Sequence, residues 1–161
     1  MAPNATIYKL ELQISDMDRH YYASHNLTLA QRPSETDHRL MARRISFALF
    51  AEVRMEFGRE PSNDENPDVW LRDYTGDIEL WIDLGQPDES RIKKASCRAR
   101  QAVAYGYNGN AIDIWWDKNE TALARFKNLT IVSISSDELD AATRLQQHGM
   151  RLTAMIQDGE L

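Results

Sequence analysis

The sequence predicts a mixed α/β domain of α+β type, with a central mixed β-sheet in the order α-β-β-α-β and an N-terminal β-hairpin before it. Three observations carry that prediction. Residues 77–85 alternate strictly: Ile78, Leu80, Ile82 and Leu84 fall on one side, and Asp77, Glu79, Trp81, Asp83 and Gly85 on the other, which is the period of a strand. Residues 33–57 combine a helix-start signature with apolar residues spaced three to four apart. A second capped helical stretch opens at Asp88, immediately after the strand.

Taken in order, Thr6 to Ser15 places Ile7, Leu10, Leu12 and Ile14 among polar neighbours, suiting a strand with one buried face. Asp16-Met17-Asp18 turns the chain, and Tyr21 to Leu29 returns as an antiparallel partner with Tyr21, Ala23, His25, Leu27 and Leu29 on one face. Ser34, with Asp37 three residues on, makes a capping box for a long helix. Its inner stripe is Met41, Ile45, Ala48, Leu49 and Val53, widened by Phe50 and Phe57, and Gly58 is placed to cap its end. Residues 61–67 form a polar loop.

Val69 and Leu71 then alternate with Asp68, Trp70 and Arg72, and Tyr74-Thr75-Gly76 supplies a turn into the strand at 77–85. Gln86-Pro87 ends that strand, and the helix capped by Asp88 has Ile92, Ala95 and Ala99 on its inner face, giving way to a strand near Arg100. Asn108-Gly109 lies between Ala102–Tyr107 and Ala111–Trp116, a hairpin signal. Leu129 to Ser135 reads as a strand, Ser135 and Glu138 box the start of a helix ending near Gly149, and Met150 to Ile156 as a last strand. The order is β-β-α-β-β-α-β-β-β-α-β. No linker or repeat divides it, so residues 1–161 read as one domain.

A chain of this length buries roughly two thirds of its accessible surface on folding, enough for a core without staples. Cys97 is the only cysteine, which excludes a disulfide framework and points to a small buried residue. No run of about 18 apolar residues exists to span a bilayer, and MAPNATIYKLELQI has neither a basic leader nor a continuous apolar segment. These features predict a cytoplasmic protein without a membrane partner. Nineteen basic residues stand against twenty-five acidic, a formal net charge of -6. That balance excludes coating of nucleic acid by bulk attraction and confines any such contact to a local patch. The four histidines are scattered without ligand spacing.

The chemistry-bearing residues lie in the central stretch. Asp68 precedes one strand and Asp83, fifteen residues later, sits on the next, so both can project from one sheet face. Two converging carboxylates are what Mg²⁺ needs, because the ion takes hard oxygen ligands and activates water near a phosphodiester. A shared ion requires that neither carboxylate be spent on a buried ion pair. Glu79 shares the face of Asp83 but lies about 13 Å along the strand.

These residues sit within a resemblance that covers nearly the whole chain. From ATIYKLELQISDMDRHYY through ELWIDLGQPDESRIKK to MIQDGEL, the sequence resembles the YaeQ family of small bacterial proteins. That family is similar in fold to the PD-(D/E)XK, restriction-endonuclease-like nucleases. The resemblance implies a restriction-endonuclease-like core and a Mg²⁺-dependent nuclease or phosphodiesterase. It puts the Pro-Asp element on Pro67-Asp68, the second acid on Asp83, and the acid of the first core helix on Glu35 or, deeper in, Glu52. Where the pattern has a lysine, two residues past the second acid, this chain has Gly85. Gln86, Lys93, Lys94 and Gln101 are the nearby groups able to stand in at a phosphate.

Each of these residues also has a plainer reading. Asp83 and Glu79 suit a solvated sheet face, Pro-Asp an ordinary turn end, and Trp81 a cover for the sheet as well as a stacking platform for a base. Arg91, Lys93, Lys94, Arg98 and Arg100 suit either a phosphate-binding patch or the charged outer face of a surface helix. Two functions of different class follow. One is the metal-dependent nuclease; the other is a nuclease-fold protein without activity that binds nucleic acid or a protein partner.

Overall fold

The computed structural model describes residues 5–58, 66–107, 109–145, 149–158 and 161. In chain order the elements are β1 (Thr6–Asp16), β2 (Tyr21–Gln31), α1 (Asp37–Phe50), β3 (Met55–Phe57), β4 (Val69–Arg72), β5 (Ile78–Leu84), α2 (Glu89–Arg98), β6 (Ala99–Gly106), α3 (Gly109–Leu123), β7 (Leu129–Ser133), α4 (Ser136–Thr143) and β8 (Gly149–Ile156). The class is α+β, with four helices and two mixed sheets among the described residues. Among the described residues no helix is long and apolar enough to cross a membrane.

The chain forms two compact units, Met1–Ala51 with Ala142–Leu161, and Glu52–Ala141. The first holds a three-stranded sheet in the order β2-β1-β8. β1 and β2 make the antiparallel hairpin that their alternation predicts, with Leu10 opposite Leu27 and Leu12 opposite His25. Asp16 closes its turn by accepting the N–H groups of Asp18 and Arg19, both at 3.1 Å. β8 then lies parallel to β1, Leu12 facing Leu152.

Helix α1 begins later and ends earlier than its stripe suggests. Thr36 is the cap, accepting the Arg39 N–H, in place of the Ser34 box. The helix stops at Phe50, Val53 is 81% exposed, and Met55–Phe57 is a strand. Gly58 consequently caps nothing: its N–H bonds the Asp68 carbonyl at 2.8 Å. A three-residue strand in register with the preceding helical stripe leaves no separate period to read.

The second unit holds a sheet in the order β3-β4-β5-β6-β7, antiparallel from β3 to β5 and parallel from β5 to β7. β5 is its middle strand and is buried on both faces from Leu80 to Leu84. Trp81 therefore covers the sheet, packed with Ala95, Ala99 and Ala102 beneath α2. A register shift opposite Leu71/Arg72 brings Ile78 onto that side too. Cys97 lies off the inner face of α2 and is exposed, contrary to the expectation that it is buried.

The expected hairpin at Asn108-Gly109 does not form. Gly109 begins α3, so Ala111–Trp116 is helical, and Asn108 lies outside the described residues. The reason is burial: Ile112 and Leu123 are the buried residues of this helix, and their separation is about three helical turns. Gly106 ends β6 against that helix, where a Cβ would collide with the Ile112 side chain. Ser135 does cap α4, accepting the Glu138 N–H at 3.2 Å, but that helix ends at Thr143. Its expected extension through His148 is cut short, since Arg144 and Leu145 form a turn and residues 146–148 lie outside the described residues.

Candidate functional site

β4 and β5 bring the two expected carboxylates together. Val69 pairs with Ile82, and the Asp68 N–H bonds the Ile82 carbonyl at 3.1 Å, which sets Asp68 beside Asp83. Both are buried, Asp68 at 6% exposure and Asp83 at 3%. Asp68 Oδ2 accepts the Leu84 N–H at 2.8 Å, fixing that carboxylate to the end of β5.

Asp83 is held by Arg91. Arg91 Nε donates to Oδ2 and Nη2 to Oδ1, each at 2.9 Å, a two-pronged charge-assisted pair. The same Nη2 also reaches the Asn66 carbonyl at 2.9 Å. Helix α2 aims this side chain because Asp88 caps it, its Oδ1 accepting the Arg91 N–H at 2.8 Å. Burial pushes the Asp83 carboxyl above its ordinary value and outweighs the lowering by Arg91; the nearby Asp68 charge adds to the rise. The Trp81 indole N–H is buried without a well-formed hydrogen bond, yet lies near enough to Asp83 to help hold its charge.

An ion between Asp68 and Asp83 does not fit these contacts. Both oxygens of Asp83 are spent on a guanidinium, one oxygen of Asp68 on a backbone N–H, and no group of three metal-ligating side chains occurs among the described residues.

The remaining expected residues scatter. Glu35 is in the first unit, buried and paired with Arg43 at 2.7 Å. Glu52 is exposed at the start of the second. Gly85 lies just past β5 with φ +92, its N–H on the Tyr105 carbonyl at 2.9 Å, so the backbone itself calls for glycine where the pattern has lysine. Gln86 and Lys93 are exposed and Lys94 half-buried; Gln101 is exposed on β6 opposite Leu80. Gln86, Lys93 and Gln101 contact neither carboxylate among the described residues.

The basic run from Arg91 on α2 to Arg100 on β6 is largely committed as well. Arg91 is spent on Asp83, Arg98 lies 5.8 Å over the Trp81 ring, and Arg100 pairs with Asp73 at 3.3 Å and Glu79 at 3.6 Å. A different patch gathers cations with aromatics on this unit. Arg54 stacks at 4.3 Å over Tyr74, which is 92% exposed, and bonds the Arg72 carbonyl at 2.7 Å. Arg72 stacks in turn at 4.3 Å over Trp70. Arg54, Arg72 and Tyr74, with the acidic Glu56 and Asp73, help to line an open cavity of about 340 Å³, and Arg72 pairs with Glu56 at 3.5 Å. The interleaving of Trp70, Arg72 and Tyr74 at every second residue was its signal in the sequence.

The YaeQ protein family model matches residues 1–161, the whole chain. The chain belongs to the YaeQ family. The Escherichia coli K12 YaeQ protein is 40% identical over 159 residues, covering 99% of this chain and 88% of its own, and the Salmonella typhi YaeQ protein is 39% identical over 161 residues, covering 100% of this chain and 89% of its own. The crystal structure of YaeQ from Xanthomonas axonopodis pv. citri superposes with a TM-score of 0.93 at 58% identity, covering 97% of this chain and 88% of that one. That of YaeQ from Pseudomonas syringae gives 0.92 at 30%, covering 98% and 87%. Both of these solved structures share the fold of this chain.

Proposed function

We propose that the protein is a nucleic-acid-binding member of the nuclease-like group that does not cleave, its cation position being filled by Arg91. The observation that carries this reading is the two-pronged Arg91–Asp83 pair. The succession α1-β3-β4-β5-α2-β6 supports the restriction-endonuclease-like part of it, since it keeps the expected α-β-β-α-β order with one strand inserted. The Arg54–Tyr74 and Arg72–Trp70 stacks support single-stranded nucleic acid as the ligand. Aromatic faces accept any base, and guanidinium groups beside them answer the phosphates. A local patch of this kind is what a chain of net charge -6 requires.

Fluorescence anisotropy with single-stranded DNA and RNA in EDTA tests the reading. Binding is expected, weakening as salt rises, and Tyr74→Ala should cost about 1–3 kcal/mol of it. The same oligonucleotides should survive incubation with Mg²⁺ or Mn²⁺. Salt-insensitive binding, or none, removes nucleic acid from the proposal; metal-dependent cleavage lost in Asp83→Asn restores the enzyme.

A further inference from the structure

Helix α1 buries two consecutive arginines, and they fare differently. Arg43 has Glu35 at 2.7 Å and the Ala30 carbonyl at 3.0 Å. Arg44 is 2% exposed and has no carboxylate in ion-pair contact among the described residues. Its Nη1 reaches only the weak acceptor Met150 Sδ at 3.2 Å, and its guanidinium lies 5.3 Å over the Tyr8 ring. Nε and Nη2 find no hydrogen-bond partner among the described residues. Burial lowers the Arg44 pKa and the neighbouring Arg43 charge adds to that, outweighing the opposing influence of Tyr8 and Asp37.

This side chain lines a cavity of about 160 Å³ within the first unit. The other walls are apolar: Leu10 and Leu12 of β1, Met41 and Ile45 of α1, and Leu152 of β8. Nε and Nη2 are the same pair of nitrogens with which Arg91 clasps Asp83, the fork that matches both oxygens of a carboxylate. Nε and Nη2 have almost no accessible surface, so a ligand in the cavity meets this fork once the guanidinium turns off the Tyr8 ring toward it, and a fork without an acceptor beside an apolar cavity fits a ligand that brings both halves.

We propose that this cavity binds a small amphipathic carboxylate, with its two oxygens on Arg44 Nε and Nη2 and its apolar group among Leu10, Leu12, Met41, Ile45 and Leu152. The cavity is partly open, and its volume bounds the buried part of the ligand, because a cavity of about 150 Å³ takes up benzene. The apolar group is therefore about five or six carbons, as in hexanoate or benzoate.

The test is a titration of the full chain, carrying ¹³C-methyl methionine, with hexanoate, followed at the Met41 methyl by NMR. A saturable shift is expected, with acetate, hexanol and hexylamine each at least tenfold weaker. Arg44→Met should weaken hexanoate at least tenfold. Absence of a shift with hexanoate overturns the proposal, as does an equal response to hexanol or undiminished binding by Arg44→Met. Should that variant fail to fold, Ala48→Leu fills the cavity while keeping Arg44; loss of binding then supports the proposal and retention overturns it.

Discussion

Arg91 and Asp83 form the contact on which the candidate site turns, and each depends on the other. Removing the guanidinium leaves a buried carboxylate without compensation, so Arg91→Met should destabilise the fold by about 3–5 kcal/mol in urea unfolding. Replacing both partners, as in Arg91→Met with Asp83→Leu, should recover most of that loss. The pH response has a definite sign. The folded pKa of Asp83 lies above its unfolded value, so its charged form costs the fold stability, and that cost disappears as pH falls through the folded value. The clasp should therefore loosen at milder acidity than an exposed carboxylate would allow, seen as movement of the Arg91 ¹⁵Nε signal above the ordinary carboxylate range. Gly85→Lys restores the residue type of the nuclease pattern but sets an L side chain at φ +92, where the nearest neighbour of a Cβ is Tyr107 at 3.9 Å. The cost is conformational, about 1–2 kcal/mol by thermal unfolding, and no metal-dependent cleavage should appear, because Asp83 remains occupied. Asp68 and Asp83 were legible in the sequence from strand parity and the turn before them. The role of Arg91 was not, because eight residues and a change from strand to helix separate it from Asp83, and in the sequence it is one cation in a row of five.

Among elements, the instructive one is α3. AIDIWW alternates well enough for a strand and follows an Asn-Gly pair, yet the helix wins because Ile112 and Leu123 both need burial and lie on one helical face. Local turn chemistry was outweighed by tertiary packing, which no window of a few residues contains. Where helix and sheet meet, the fit is tight at Gly106. Gly106→Ala should be strongly destabilising because its Cβ overlaps Ile112, and adding Ile112→Ala should recover part of the loss by opening that space, measured by a double-mutant cycle in urea. The hairpin β1–β2, the strand β5 and the cap at Asp88 were legible for the opposite reason. Their signals lie within a few residues of the structure they specify. β3 was not, because three residues are too few to show a period.

Across the whole chain, the first compact unit is assembled from both ends of the sequence, with Glu52–Ala141 between its parts. The second unit is continuous and has its own five-stranded sheet. A chain stopped after Ala141 should therefore keep slow amide exchange at Ile82 and Val103 and lose it at Leu10 and Leu12, whose strand has then lost one neighbour. The resemblance to YaeQ proteins was legible end to end, since its segments span both units. The division into units was not, because no linker composition marks where the chain passes from one to the other. The parallel pairing of β1 with β8 also sets a timetable. On the ribosome, residues 6–16 emerge before Glu52–Ala141, yet their partner at 149–156 emerges only after it. The apolar face of Leu10, Leu12 and Ile14 must wait until Glu52–Ala141 has been made, and with it everything needed for the sheet from β3 to β7. Newborn chains should then carry a finished second sheet behind an unfinished first one, and it is that waiting hairpin which chaperones or proteases would meet.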